Sequence, residues 1–206
     1  MTAAARREPP LARHPGLWVL ALVALCWALT YIVFMTFFAA AGLASGLDAG
    51  QVGRLWLTVG VLSSCSAVVW GAVSDRLGRL PTLALVYVLQ GLACAALGLA
   101  TTAAWFYAAA GLFGLGGWAT PALVTSAGAD LAGRRLAPAV LGVLTLVFGL
   151  GQAIGPLVAG LLNDATGGFV ASSLAAAAVL FAGAVLALGA SRSTIGVSRP
   201  PIRGNL

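Results

Sequence analysis

The chain has 206 residues, of which 61% are hydrophobic and 8% charged, far below the roughly one quarter charged that a soluble domain uses to cover itself. That balance excludes a water-soluble globule. The net charge of +6 is scattered over short separate segments, not gathered into one patch, so it gives no support to nucleic-acid binding.

Residues 1–16 hold Arg6, Arg7, Glu8, Pro9, Pro10, Arg13, His14 and Pro15 and read as a Pro-containing, linker-like tail. Beyond it the charges cluster. Uncharged stretches run from Arg13 to Asp48, Arg54 to Asp75, Arg79 to Asp130, Arg135 to Asp164 and Asp164 to Arg192. A hydrocarbon core about 30 Å thick takes roughly 20 helical residues, so four of these hold one span each. The third would reach about 75 Å as a single helix and must turn back once. Ala100, Thr101, Thr102 and Ala103, followed by Trp105 as an interfacial anchor, mark the turn. Six transmembrane helices follow, at 17–41, 55–73, 81–99, 104–126, 138–162 and 169–190, forming one all-α domain over 17–190 with a tail at 191–206.

With six spans, ten of the eleven arginines fall on one side and only Arg54 on the other, which assigns both termini to the cytoplasm. The first apolar run is about twice the length of a signal-peptide core and reads as a retained span. Within it, Trp27, Thr30, Tyr31 and Phe34 recur at i, i+3, i+4 and i+7 on one face, where hydroxyls beside rings suit a small organic solute. Cys26, Cys65 and Cys94 occupy three different spans without a CxxC pair, and the lone histidine is His14, so they read as packing residues and not metal ligands. Asp48 and Arg54 stand near the outer end of the second span, as a gate pair or a solvated loop pair.

After the second span comes Gly71-Ala72-Val73-Ser74-Asp75-Arg76-Leu77-Gly78-Arg79. Gly71 suits close helix approach and Gly78 a tight reversal. Asp75 can face the positive end of a neighbouring helix, and Arg76 and Arg79 can pair with it or with lipid phosphate. In the third span Gln90 is a buried amide suited to hydrogen bonding between helices. The fourth holds Trp118, Thr120 and Thr125 around the helix-disturbing Gly116, Gly117 and Pro121, where freed carbonyls would line a cavity. In the fifth, Gly142, Thr145, Gly149, Gln152 and Pro156 make one small or polar stripe, Gly151 and Gly155 a GxxxG contact on an adjoining face, and Pro156 a kink. The sixth is almost wholly apolar beyond Ser172 and Ser173.

The segment 71–79 resembles the GxxxDRxGR signature of the major facilitator superfamily, with Leu80 and Pro81 where a further basic residue is common. The stretch from Gly151 to Gly167 is similar to the GQxxGPxxxGxxxDxTG pattern in the eleventh helix of some facilitators, the YbfB/YjiJ-like group being nearest. The resemblance implies the carboxy-terminal six-helix half of a secondary transporter, built as two three-helix inverted repeats. No clear identity between 17–100 and 104–190 supports that repeat, which rests on analogy. It further implies a conformational latch at Gly71, Asp75, Arg76, Gly78 and Arg79, a gating helix carrying Gly149, Gly151, Gly155 and Pro156, and a cavity drawing on the first, fourth and fifth spans, Gln152 included.

The spans hold no ionisable Asp, Glu, Lys, Arg or His. Any ion-coupling residue then sits in a missing amino-terminal half, or the protein is a facilitator. No cofactor is implied. The expected partners are the bilayer, a small-molecule solute, and a second six-helix half or a second copy. The alternatives are a truncated or split-gene fragment that inserts without transporting, and an intramembrane enzyme, for which no GxSG, membrane histidine or aspartate pair is present.

Overall fold

The computed structural model describes residues 15–192. It is all-helical over them: α1 Pro15–Ala44, α2 Ala49–Leu77, α3 Arg79–Gly98, α4 Ala103–Gly116, α5 Ala119–Thr166 and α6 Val170–Arg192. Apart from residues 15–16 and 191–192, the tails assigned to 1–16 and 191–206 lie outside the described residues.

Two interruptions decide how these helices become spans. α4 stops at Gly116 and α5 starts at Ala119, so the fourth span is broken at Gly117 and Trp118. α5 is divided at Gly133, whose φ of 64° and ψ of 172° lie in a region open essentially to glycine alone. Six segments are then long and apolar enough to cross a membrane; the fourth is Ala103–Gly133 and the fifth Arg135–Thr166, hereafter the first and second arms of α5 for the parts on either side of Gly133. The backbone through Pro156 keeps helical dihedrals, and the departure from them inside α5 is at Gly133.

α2 begins six residues before the expected start. Asp48 Oδ1 accepts from Gln51 N–H at 2.8 Å while Gln51 Oε1 accepts from Asp48 N–H at 2.8 Å, a reciprocal capping box that meets two orphan donors. Asp48 is therefore a helix cap, and Arg54 rides inside the helix, not in a loop. At the other end Gly78, at φ 93° and ψ 161°, reverses the chain by itself, and α3 starts at the next residue.

α1 packs on the second arm of α5 and on α6; α4 packs on α2 and on α3; and α3 packs on α6. Exchanging the first three spans for the last three leaves this pattern unchanged, the signature of paired repeats. The exchange also aligns the sequence at an offset of 89 positions, matching Gly53 with Gly142, Gly60 with Gly149, Gly71 with Gly160, Asp75 with Asp164, and Gly78 with Gly167. The expectation of no internal identity is corrected: Gly71-x3-Asp75-x2-Gly78 repeats as Gly160-x3-Asp164-x2-Gly167. Gly167 also has a positive φ, of 73°.

In lipid the contact itself must hold helices together, through close approach and interhelical hydrogen bonds. A Cβ on Gly91 would come 2.8 Å from the Phe181 ring, and one on Gly183 would come 2.9 Å from Tyr87, so α3 and α6 lie backbone to side chain. Phe34 of α1 stacks on Phe113 of α4 at 4.0 Å, and Tyr87 Oη donates to Val23 O at 2.8 Å. The second helix of each repeat is the least covered. Only 22% of the apolar stretch of α2 and 17% of that of the second arm are buried, against 44–61% in the other four spans. Cys65 lies on the exposed part of α2, so it does not pack as expected.

Candidate functional site

The break in the fourth span strips three carbonyls of helical partners, a costly condition in hydrocarbon. Each finds a donor. Gly114 O accepts from Ser63 Oγ at 3.2 Å, Leu115 O from Ser66 Oγ at 2.9 Å and Trp70 Nε1 at 2.7 Å, and Gly116 O from Gln90 Nε2 at 3.0 Å, while Phe113 O keeps its helical donor, Gly117 N–H, at 2.7 Å. The expectation that these carbonyls line a cavity is corrected, because α2 and α3 cover them. Gln90, fully buried, also accepts from Trp27 Nε1 at 2.9 Å and approaches Thr120 Oγ1 at 3.4 Å, joining α1, α3 and both sides of the break.

Beside this network a cleft of about 200 Å³ opens between α1 and the two arms of α5. Ala24, Trp27, Pro121, Val124, Thr125, Leu141, Leu144, Thr145 and Phe148 line it. Trp27 and Phe148 stand close to the middle of their helices. Trp27, Tyr31 and Phe148 form a cluster of near-parallel rings, with centroids 4.3–5.6 Å apart and planes within 15°.

Of the eight residues expected around a cavity, Trp27 and Thr125 line this cleft and Tyr31 joins its ring cluster. The others are elsewhere. Phe34 is core, stacked on Phe38 and Phe113. Thr120 is fully buried in the Gln90 network. Thr30 bonds to Cys26 O and Trp27 O and borders a separate apolar crevice against α6. Trp118 is half exposed at the break, and Gln152 is half buried one turn beyond Phe148.

At the end of the bundle holding Gly78, Arg79 Nη1 meets Asp75 Oδ1 at 3.0 Å and Ser74 Oγ at 2.8 Å, and its Nε meets Asp130 Oδ2 at 3.2 Å. Asp130 comes from the first arm of α5, so Arg79 straps two neighbouring spans together. Arg76 points into the open, without the Asp75 pairing expected of it, and Gly71 meets no neighbour within 4 Å. The carboxylates are 70% and 42% exposed, which holds each pair to about 0–1 kcal/mol. The repeat counterpart of Ser74 is Asn163 at the other end, where Gly168 stands in place of Arg79. The Asn163 amide is buried with neither polar atom paired among the described residues.

A family model described as "Uncharacterised MFS-type transporter YbfB" matches residues 1–188. The chain belongs to this family of MFS-type transporters. Comparison with curated proteins returns no match.

In this MFS-type chain the four glycine and proline positions singled out on the fifth span divide between two faces. A Cβ on Gly151 would come 2.5 Å from Ala28 Cβ, and one on Gly155 would strike Leu29 O, so this GxxxG pair seats the second arm on α1. Gly149 meets nothing within 4 Å, and Pro156 is half buried. Sequence reasoning passed over Phe148 as a cleft residue and Asp130 as a partner of Arg79. An aromatic ring in a glycine-rich helix was the available sign for Phe148. For Asp130, 51 positions from Arg79, only the tertiary fold supplies one.

Proposed function

We propose that this MFS-type chain is a half-transporter that moves a small organic solute across the plasma membrane by alternating access. Both termini and the Arg79 end face the cytoplasm, in line with the placement of arginines. The observation that carries the reading is the mid-membrane cleft, a wall of rings and hydroxyls bounded by α1 and both arms of α5. The uncovered faces of α2 and the second arm support a partner, either a separate six-helix half or a second copy. In that cycle Gly71, Asp75, Arg76, Gly78 and Arg79 act as a latch made in one state and released in the other. Gly151 and Gly155 keep the second arm seated on α1, while Gly149 and Pro156 face the partner.

Counterflow uptake in liposomes tests the proposal, with a panel of neutral and charged solutes, the chain alone and the chain with a co-expressed six-helix half. Saturable exchange of at least one solute by an assembly of two halves is expected. Exchange by a strictly monomeric chain would refute the need for a partner. A second reading, a fragment that inserts without transporting, draws on the same uncovered helices; it predicts no exchange at any protein-to-lipid ratio, from the chain alone or with the co-expressed half.

A further inference from the structure

We infer that the cleft takes a neutral, flat solute of one or two rings that donates a hydrogen bond, a phenol- or indole-type molecule, and discriminates against the O- or N-methylated analogue. This names a substrate class for the transport site proposed above and rests on that reading.

The argument begins with which polar atoms in the cleft are already committed. Thr125 donates its hydroxyl hydrogen to Pro121 O at 2.8 Å, with Ala122 O at 3.0 Å sharing it, and Thr145 donates to Leu141 O at 2.8 Å. Trp27 donates its indole N–H to Gln90. A hydroxyl has one hydrogen and two lone pairs, so both threonines remain as acceptors with no donor left. Pro121 has no N–H to offer. A solute that brings a donor completes the threonines; one that brings only acceptors leaves both sides unpaired.

Charge and shape narrow the class further. No lining residue is ionisable at neutral pH, so a charged solute would leave its hydration without compensation. Trp27 is buried, stacked on both Tyr31 and Phe148, so the half-buried Phe148 is the ring through which a flat molecule extends the cluster. Tyr31 extends the ring cluster without lining the cleft. As to size, an apolar cavity of about 150 Å³ is enough for benzene, and the cleft holds about 200 Å³.

Equilibrium binding of 2-naphthol and 2-methoxynaphthalene to the chain in lipid nanodiscs, with empty discs subtracted for partitioning, reads the discrimination. One neutral hydrogen bond corresponds to a preference of about threefold to tenfold for the naphthol. In Thr125→Val/Thr145→Val, which keeps the shape of two exposed side chains, the ether binds as before and the preference disappears. Thr145→Trp fills the cleft from an exposed position and removes both ligands. Equal binding of the two by the unaltered chain, a preference that survives the double valine variant, or no binding above empty discs overturns the inference. Counterflow of 2-naphthol is measured separately, in liposomes holding the assembly of two halves. Selective binding without counterflow would sink the transport reading and leave the ligand class standing, whereas counterflow of a charged, ring-free solute without naphthol binding would do the reverse.

Discussion

Replacing Gln90 by leucine should be the most damaging single polar substitution in the bundle. Gln90 is fully buried and serves Trp27 Nε1 at 2.9 Å and Gly116 O at 3.0 Å. Leucine fills much the same space, so the cavity contribution is small, and the loss is dominated by two orphaned groups. In soluble proteins each buried orphan costs about 1–3 kcal/mol, but interhelical bonds in membranes average about 0.6 and reach about 1.7 kcal/mol. The membrane figures are the relevant ones, with an addition because Gly116 O has lost its helical partner as well. The expected destabilisation is about 2–4 kcal/mol, measured as a shift in the unfolding midpoint in lipid–detergent micelles titrated with a denaturing detergent. Adding Trp27→Phe removes one orphan, so the double-mutant cycle should return a coupling of about 0.6–1.7 kcal/mol. A Gln90→Leu cost under about 0.5 kcal/mol, or no coupling to Trp27, would refute the claim that the break depends on this bridge.

Gly155→Ala should cost about 1–3 kcal/mol in the same assay, since the new methyl group strikes Leu29 O, while Gly149→Ala on the open face should change the stability of the chain alone by less than about 0.5 kcal/mol. Gly78→Ala should cost about 1–3 kcal/mol because φ 93° with ψ 161° excludes a Cβ. Asp130→Asn should shift stability by no more than about 1 kcal/mol, yet alter the counterflow rate if the strap acts in the cycle; unchanged rates with intact insertion would remove Asp130 from the mechanism.

Span number and approximate position were legible because hydrocarbon thickness and the placement of charge act on the sequence directly. The start of α2 was missed because Arg54 was read as a boundary, when the capping box at Asp48 sets it six residues earlier: a helix can carry a charge in its second turn provided the side chain reaches water. The repeat escaped notice because its distinctive identities are four glycines and one aspartate, while the others, such as Leu55 with Leu144 and Val69 with Val158, are residues common to any membrane helix, a pattern that shows only when the packing supplies the register. Helical spacing correctly grouped Trp27 with Tyr31, yet it also carried Phe34 into the cavity. Periodicity names a face, not the neighbour it meets, and the Phe34 turn meets Phe113. Thr120 failed for a related reason, since the bend that exposes Trp118 turns it toward Gln90. The Arg79–Asp130 strap has no local signal.

The capped break also bears on how the chain is made. Ser63, Ser66, Trp70 and Gln90 lie earlier in the sequence than the carbonyls of Gly114, Leu115 and Gly116 that they satisfy. A ribosome therefore delivers the donors to the bilayer before the acceptors, and the interrupted span emerges beside a hairpin ready to receive it. In a span that emerged before that hairpin, the three carbonyls would face lipid until their donors arrived.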